Sequence, residues 1–155
     1  MIIQTQAMGE VEIDLRQIFH FPYGLYAFED LRSFALLDST YPPFYWLQSM
    51  EHEELAFLLL APQFLISDYS VKPAALEDFS GIGLQDESDA NLLTFSIVTL
   101  NDRDSTANMK GPVVLNKVRN LGRQIIVSDE HRSVRHSLTD LRLPEPAVNF
   151  DPEGL

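Results

Sequence analysis

The chain of 155 residues contains no cysteine, which removes a disulfide framework, a thiolate zinc site and a cysteine nucleophile in one observation. Long apolar runs are missing too. The greasiest stretch, 55–66, is interrupted by Pro62 and Gln63, short of what a membrane-spanning helix needs. The opening Met1-Ile2-Ile3-Gln4-Thr5-Gln6 lacks the basic region and apolar core of a signal peptide. Cations are scarce, with 11 Lys and Arg against 23 Asp and Glu, for a net charge of −12. A net anion approaching polyphosphate opposes the counterion release that dominates nucleic-acid affinity, so direct nucleic-acid binding is not expected. These absences lead to the expectation of a cytoplasmic protein that uses neither membrane nor nucleic acid.

Local catalytic and cofactor motifs are equally scarce. Glu51-His52-Glu53-Glu54 groups imidazole and carboxylates, but four consecutive residues cannot all aim at one ion from a strand or a helix. His131 and His136 are flanked by Arg132 and Arg135, whose charges disfavour a cation. Gly81-Ile82-Gly83 runs into Asp86-Glu87-Ser88-Asp89, not into the helix N-terminus that a phosphate loop requires. That acidic run lacks the central glycine and closing glutamate of an EF-hand loop. No Gly-x-Ser-x-Gly elbow or His-Glu-x-x-His helix occurs. The expectation is a protein that is not an enzyme and holds no cofactor or metal.

What the chain does contain is short strands and aromatic turns. A chain of this length fits one domain that buries roughly two thirds of its unfolded surface. Val11, Ile13 and Leu15 alternate with Glu12 and Asp14, which predicts a half-buried strand forming an N-terminal hairpin with residues 3–6. Further strands are predicted at 34–37, 44–48, 56–60, 92–100, 113–115 and 124–127, with Asn120-Leu121-Gly122 as a hairpin turn. Pro73 to Phe79, followed by Ser80-Gly81, reads as a two-turn helix, and Phe28, Leu31 and Phe34 suggest another brief one. The predicted fold is mainly β: a single-domain antiparallel barrel or sandwich over 1–142 with one or two short helices. Residues 143–155, with three prolines and several acids, read as an irregular tail.

In His20-Phe21-Pro22-Tyr23-Gly24-Leu25-Tyr26-Ala27-Phe28-Glu29-Asp30, Pro22 fixes a backbone angle and Gly24 permits a positive one. A sharp reversal can then send Phe21 and Phe28 back into a core. Trp46, Phe57 and Phe95 read as core rings as well. Charge is segregated: residues 1–104 hold 17 acidic and 4 basic side chains, and residues 110–142 hold 7 basic and 3 acidic ones. This predicts a dipole and a basic protein partner, against a plain reading in which acidity only confers solubility. The candidate partner residues are Glu77, Asp78, Asp86, Glu87, Asp89, Asp102 and Asp104, with Asn108, Arg135 and His136. The acids also fit a solvated face, and Asn108 and Asn116 fit side chains that bond turn backbone.

Several ordered motifs resemble the FliW family of flagellar assembly factors. They are Phe21-Pro22-Tyr23-Gly24-Leu25 with Phe28-Glu29; Pro43-Phe44-Tyr45-Trp46-Leu47-Gln48-Ser49; Thr106-Ala107-Asn108-Met109 with Gly111-Pro112-Val113-Val114-Leu115-Asn116; and Gly122-Arg123-Gln124-Ile125-Ile126-Val127 with Arg135-His136-Ser137-Leu138. The resemblance spans about 3–138. Where this chain has Ala27 and Gly111, the family more often has glycine and alanine. The resemblance implies a protein that binds flagellin and the basic, RNA-binding translational regulator CsrA, and antagonises CsrA on flagellin mRNA; a monomer is expected for the protein alone. Within it, Phe21, Pro22, Gly24, Leu25, Phe28, Trp46 and Pro112 carry structural roles. The alternatives are a flagellin chaperone without the regulator, and an unrelated small-molecule binder using a barrel interior.

Overall fold

A computed structural model describes residues 1–75 and 77–142; the tail expected at 143–155 lies outside the described residues. Strands β1 (Ile2–Thr5) and β2 (Gly9–Glu12) form the N-terminal hairpin as a separate two-stranded sheet. The chain then enters a barrel: β3 (Ile18–His20), β4 (Ser33–Asp38), β5 (Tyr45–Ser49), β6 (Ala56–Leu60), α1 (Glu77–Ser80), β7 (Leu92–Thr99), β8 (Thr106–Ala107), β9 (Val113–Asn116), β10 (Leu121–Gln124) and β11 (His136–Ser137). Strands β4 to β7 form an antiparallel meander, and β7 continues to β9, which makes a hairpin with β10. The circle of seven strands closes through β10 and β3, then β3 and β4. The β3–β10 pairing is parallel, an exception to the antiparallel expectation. Strands β8 and β11 extend the sheet from the C-terminal end of β7.

Alternation along each strand divides inside from outside. Phe19, Phe21, Leu25, Phe34, Leu47, Leu59, Val113 and Leu115 fill the interior as one buried cluster. Phe21 meets Phe34 edge-on at 5.1 Å, and Phe28 meets Phe57 at 5.2 Å. The outer surface has two covers. The β1–β2 hairpin and Ile13 lie over Ala35 and Leu37 of β4. The excursion 61–91 lays Leu65, Tyr69, Val71, Phe79, Ile82 and Leu84 against Leu60, Val98 and Val114.

The corner at 21–29 does fold back sharply. Gly24 has φ +65, and a Cβ there would sit 2.5 Å from Glu29 Cα, so only glycine fits. Leu25 and Phe28 exchange backbone bonds around Tyr26 and Ala27, with Ala27 at φ 70.

Local readings are corrected in several places. Leu15 is 73% exposed, because a capping box between Asp14 and Gln17 starts a 3-10 turn and ends the alternation. The last long strand is Leu121–Gln124, not 124–127. Asn120 takes the left-handed turn conformation at φ 53, and Gly122 lies within the strand, where a Cβ would meet Phe21 Cζ at 2.5 Å. Pro73 does not start a helix: it bridges Val127, Ala74 N–H donates to Ile126, and helix α1 begins at Glu77. Phe28, Leu31 and Phe34 form no helix; Phe34 belongs to β4. Strands β3, β8 and β11 were not anticipated, being only two or three residues long.

Candidate functional site

One row of side chains crosses the outer surface in register: Leu37, Trp46, Leu58, Val98 and Ala107 on successive strands β4 to β8. Its ends are sealed. Leu37 lies under the N-terminal hairpin, and Val98 and Ala107 belong to the cluster under the 61–91 excursion. Trp46 and Leu58 in the middle are half-buried, Trp46 packing against the cluster under the hairpin and Leu58 against the cluster under the excursion. A groove of about 380 Å³ opens there, walled by Met8, Tyr41, Phe44 and Leu100. Its lining carries no charged side chain. Tyr41 and Leu100 stand 78% and 62% exposed at its rim and extend its apolar surface toward solvent. The core reading of Trp46 is thereby corrected: it is shared between the outer packing and this groove.

The acidic candidates do not form one face. Glu77 and Asp78 lie on α1, and Asp86, Glu87 and Asp89 lie in the loop that leads into β7; Asp102 and Asp104 lie beyond its other end. Asp78 is committed to an ion pair, with Arg123 Nη2 3.3 Å from Oδ1, while the Arg123 guanidinium stacks over the Tyr23 ring at 4.0 Å. Asp89 accepts the amides of Gln85 and Asn91. Hydrogen bonds from the Ser88 hydroxyl and amide hold the Asp86 carboxyl below its ordinary range. Glu77, Asp86 and Glu87 remain exposed, Glu87 accepting the Ser70 hydroxyl at 2.6 Å.

At the far end of β7, Asp104 and Arg135 share a cleft of about 770 Å³ with Arg103. Asp104 Oδ1 accepts from Ser137 Oγ at 3.0 Å, and His136 Nε2 lies 3.0 Å from Asp140. Arg135 is exposed and His136 half-buried. Asn108 spends its side-chain oxygen on the amides of Lys110 and Gly111, at 3.1 and 2.8 Å. Asn116 caps the Val118 and Arg119 amides and donates to Ile82. Both are turn-bonding asparagines. Of the basic side chains of 110–142, Lys110 Nζ donates to the carbonyls of Val127 and Asp129, Arg123 pairs with Asp78, and Arg132 pairs with Asp129.

Among the described residues, no group of three His, Asp or Glu is placed to hold a metal, and no helix is long and apolar enough to cross a membrane. The barrel centre holds a contiguous cluster of ten buried apolar side chains, among them Phe21, Phe34, Leu47 and Leu59. Met8, Tyr41, Phe44, Leu58 and Leu100 were missed from sequence, because register brings Leu58 beside Trp46 and the flanking turns and loops bring the others. The aromatic-proline run Tyr41-Pro42-Pro43-Phe44 was the available signal.

A family model described as FliW protein matches residues 2–138. A flagellar assembly factor FliW of Natranaerobius thermophilus is 35% identical over 140 residues, covering 89% of this chain and 92% of the relative. The protein of the same description from Leptospira biflexa is 37% identical over 143 residues, covering 89% and 91%. A crystal structure of the flagellar assembly factor FliW superposes with a TM-score of 0.79 at 28% identity, covering 93% of this chain and 98% of that one.

Proposed function

The chain belongs to the FliW family, and from that premise we propose that it is a flagellar assembly factor acting through two protein partners, flagellin and the translational regulator CsrA. The observation that carries this reading is the uncharged groove around Trp46, open between two packed covers and rimmed by exposed Tyr41 and Leu100. Such a groove suits the apolar stripe of an amphipathic helix, the form in which a flagellin terminus would dock. Glu77, Asp86 and Glu87, exposed on and after α1, offer negative potential to a basic regulator. With CsrA docked beside them, its RNA groove would lie in that potential, and RNA would be released without steric overlap. A 10-fold to 100-fold antagonism needs about 1.4–2.8 kcal/mol of coupling, within the ordinary range for linked sites. Accumulated flagellin then occupies this protein and frees CsrA to repress, a partner switch located in the cytoplasm.

The test is a titration into a preformed complex of CsrA and flagellin leader RNA at two salt concentrations. RNA release that weakens with salt is expected. Absence of release, with flagellin binding intact, would reduce the protein to a flagellin chaperone. Absence of binding to both would refute the proposal.

A further inference from the structure

The free edge of the N-terminal hairpin has a fixed phase. Ile13 N–H donates to the Met1 carbonyl at 2.7 Å and the Met1 amino group to the Ile13 carbonyl at 3.3 Å, so this is a hydrogen-bonded pair. Ile3 with Val11 and Thr5 with Gly9 follow in the same phase. The main-chain groups of Ile2, Gln4 and Gln6 therefore point away from β2. Gln6 N–H finds Gln48 Oε1 at 2.9 Å, and Gln48 Nε2 donates onward to the carbonyls of Ser49, Glu53 and Leu55. The edge thus faces the β5–β6 turn and is stapled to it at one end only. Among the described residues no strand pairs with the remainder, Ile2 and Gln4.

Between that edge and the turn lies a cleft of about 490 Å³. Its apolar part is Ile3 and Met50; its far wall is Glu51, Glu53 and Glu54. Glu51 accepts the amides of Arg32 and Ser33, and Glu54 lies 3.3 Å from His52 Nδ1; no Lys or Arg lines the cleft, and the Met1 ammonium at its edge is turned to the Ile13 carbonyl. Strand β1 has none of the usual defences of an exposed edge: it carries no charge, no proline and no bulge, and Ile2 is 64% exposed.

We propose that this cleft is a strand-addition site: a short extended segment of a partner, with basic side chains alternating with apolar ones, pairs with the Ile2 and Gln4 edge of β1 and turns its cations to Glu51, Glu53 and Glu54. Main-chain bonds supply the register, and alternate side chains supply the choice of partner. Charge decides among occupants. Residues 143–155 of this chain contain three acids and no Lys or Arg, so they are repelled. A second copy pairing edge to edge would bring together two acidic walls on molecules of net charge −12. The site is separate from the Trp46 groove and does not depend on the flagellar reading.

The test uses the full chain labelled with 15N and a capped heptapeptide of alternating lysine and valine. Saturable binding is expected, with the Ile2 and Gln4 amides shifting and exchanging at least tenfold more slowly. Gln4→Pro removes the outward N–H and spares the β2 bonds; E53K/E54K reverses the wall without touching the edge. Each is expected to weaken binding at least tenfold while leaving the other amide resonances in place. A peptide with prolines at alternate positions should not bind. Binding that bypasses Ile2 and Gln4, indifference to both variants, or an edge-to-edge dimer in sedimentation would overturn the proposal.

Discussion

Ala27 adopts φ 70 at the exposed tip of the Leu25–Phe28 turn, where a side chain strains the backbone and glycine does not. Ala27→Gly is expected to stabilise the protein by about 0.5–1 kcal/mol, the relief of strain exceeding the extra freedom of the unfolded chain. Urea melts of the two proteins would measure it; a loss of stability would mean the turn relaxes with alanine in place. Tyr69 is a second residue whose state follows from its surroundings. It is buried and donates to the Met109 carbonyl at 2.6 Å, and burial pushes its phenol well above the ordinary 10.0, helped by Asp129 and opposed by Arg132. Because the folded pKa lies above the unfolded one, this contribution is complete below pH 10 and declines as the unfolded phenol ionises above it. Tyr69→Phe should lower stability at pH 7 by about 1–2 kcal/mol, since the Met109 carbonyl loses its donor. It should also flatten the fall in melting temperature above pH 10. Sequence exposed the corner through Pro22 and Gly24, but not Tyr69, whose partner lies forty residues away in the chain.

Elements built on alternation were legible, and those built on distant partners were not. Strands β4, β5, β6 and β7 were found within a residue or two because each pairs with neighbours in order along the chain. Strand β10 was misplaced because its start is set by Asn120, whose side-chain amide donates to the carbonyls of Arg16 and Ile18 at 2.8 and 2.9 Å. Those bonds, with His20 N–H on the Asn120 carbonyl, close the barrel at a seam with a single parallel residue pair. Asn120→Ala should therefore do more than trim a turn. A cost of about 2–3 kcal/mol is expected from two lost bonds and the positive φ imposed on alanine. Hydrogen exchange should quicken first at β3 and β10, with β5 and β6 still protected. Uniform loss of protection would mean that the seam is no weaker than the rest.

Across the whole molecule, what the chain concentrates by sequence the fold disperses. The acids of 1–104 read as one surface, yet β7 stands between Glu77 to Asp89 and Asp102 to Asp104. Eight residues of strand measure about 26 Å at roughly 3.3 Å each, against a Debye length of about 8 Å in physiological salt. A basic partner docked at one end is screened from the other, so the two groups cannot act as a single field. The register row through Trp46 shows the opposite case, residues scattered in sequence gathered into one groove. If the proposed binding to CsrA uses the α1 end, E77K/E87K should cut the association rate about tenfold at low salt, and D102K/D104K should leave it within twofold. The difference should vanish near 0.5 M salt, where exposed charges stop steering encounter. Stopped-flow fluorescence with a dye on CsrA measures all three rates in one format. Equal losses from the two variants would show that the regulator is steered by total charge, and the assignment to the α1 end would fall.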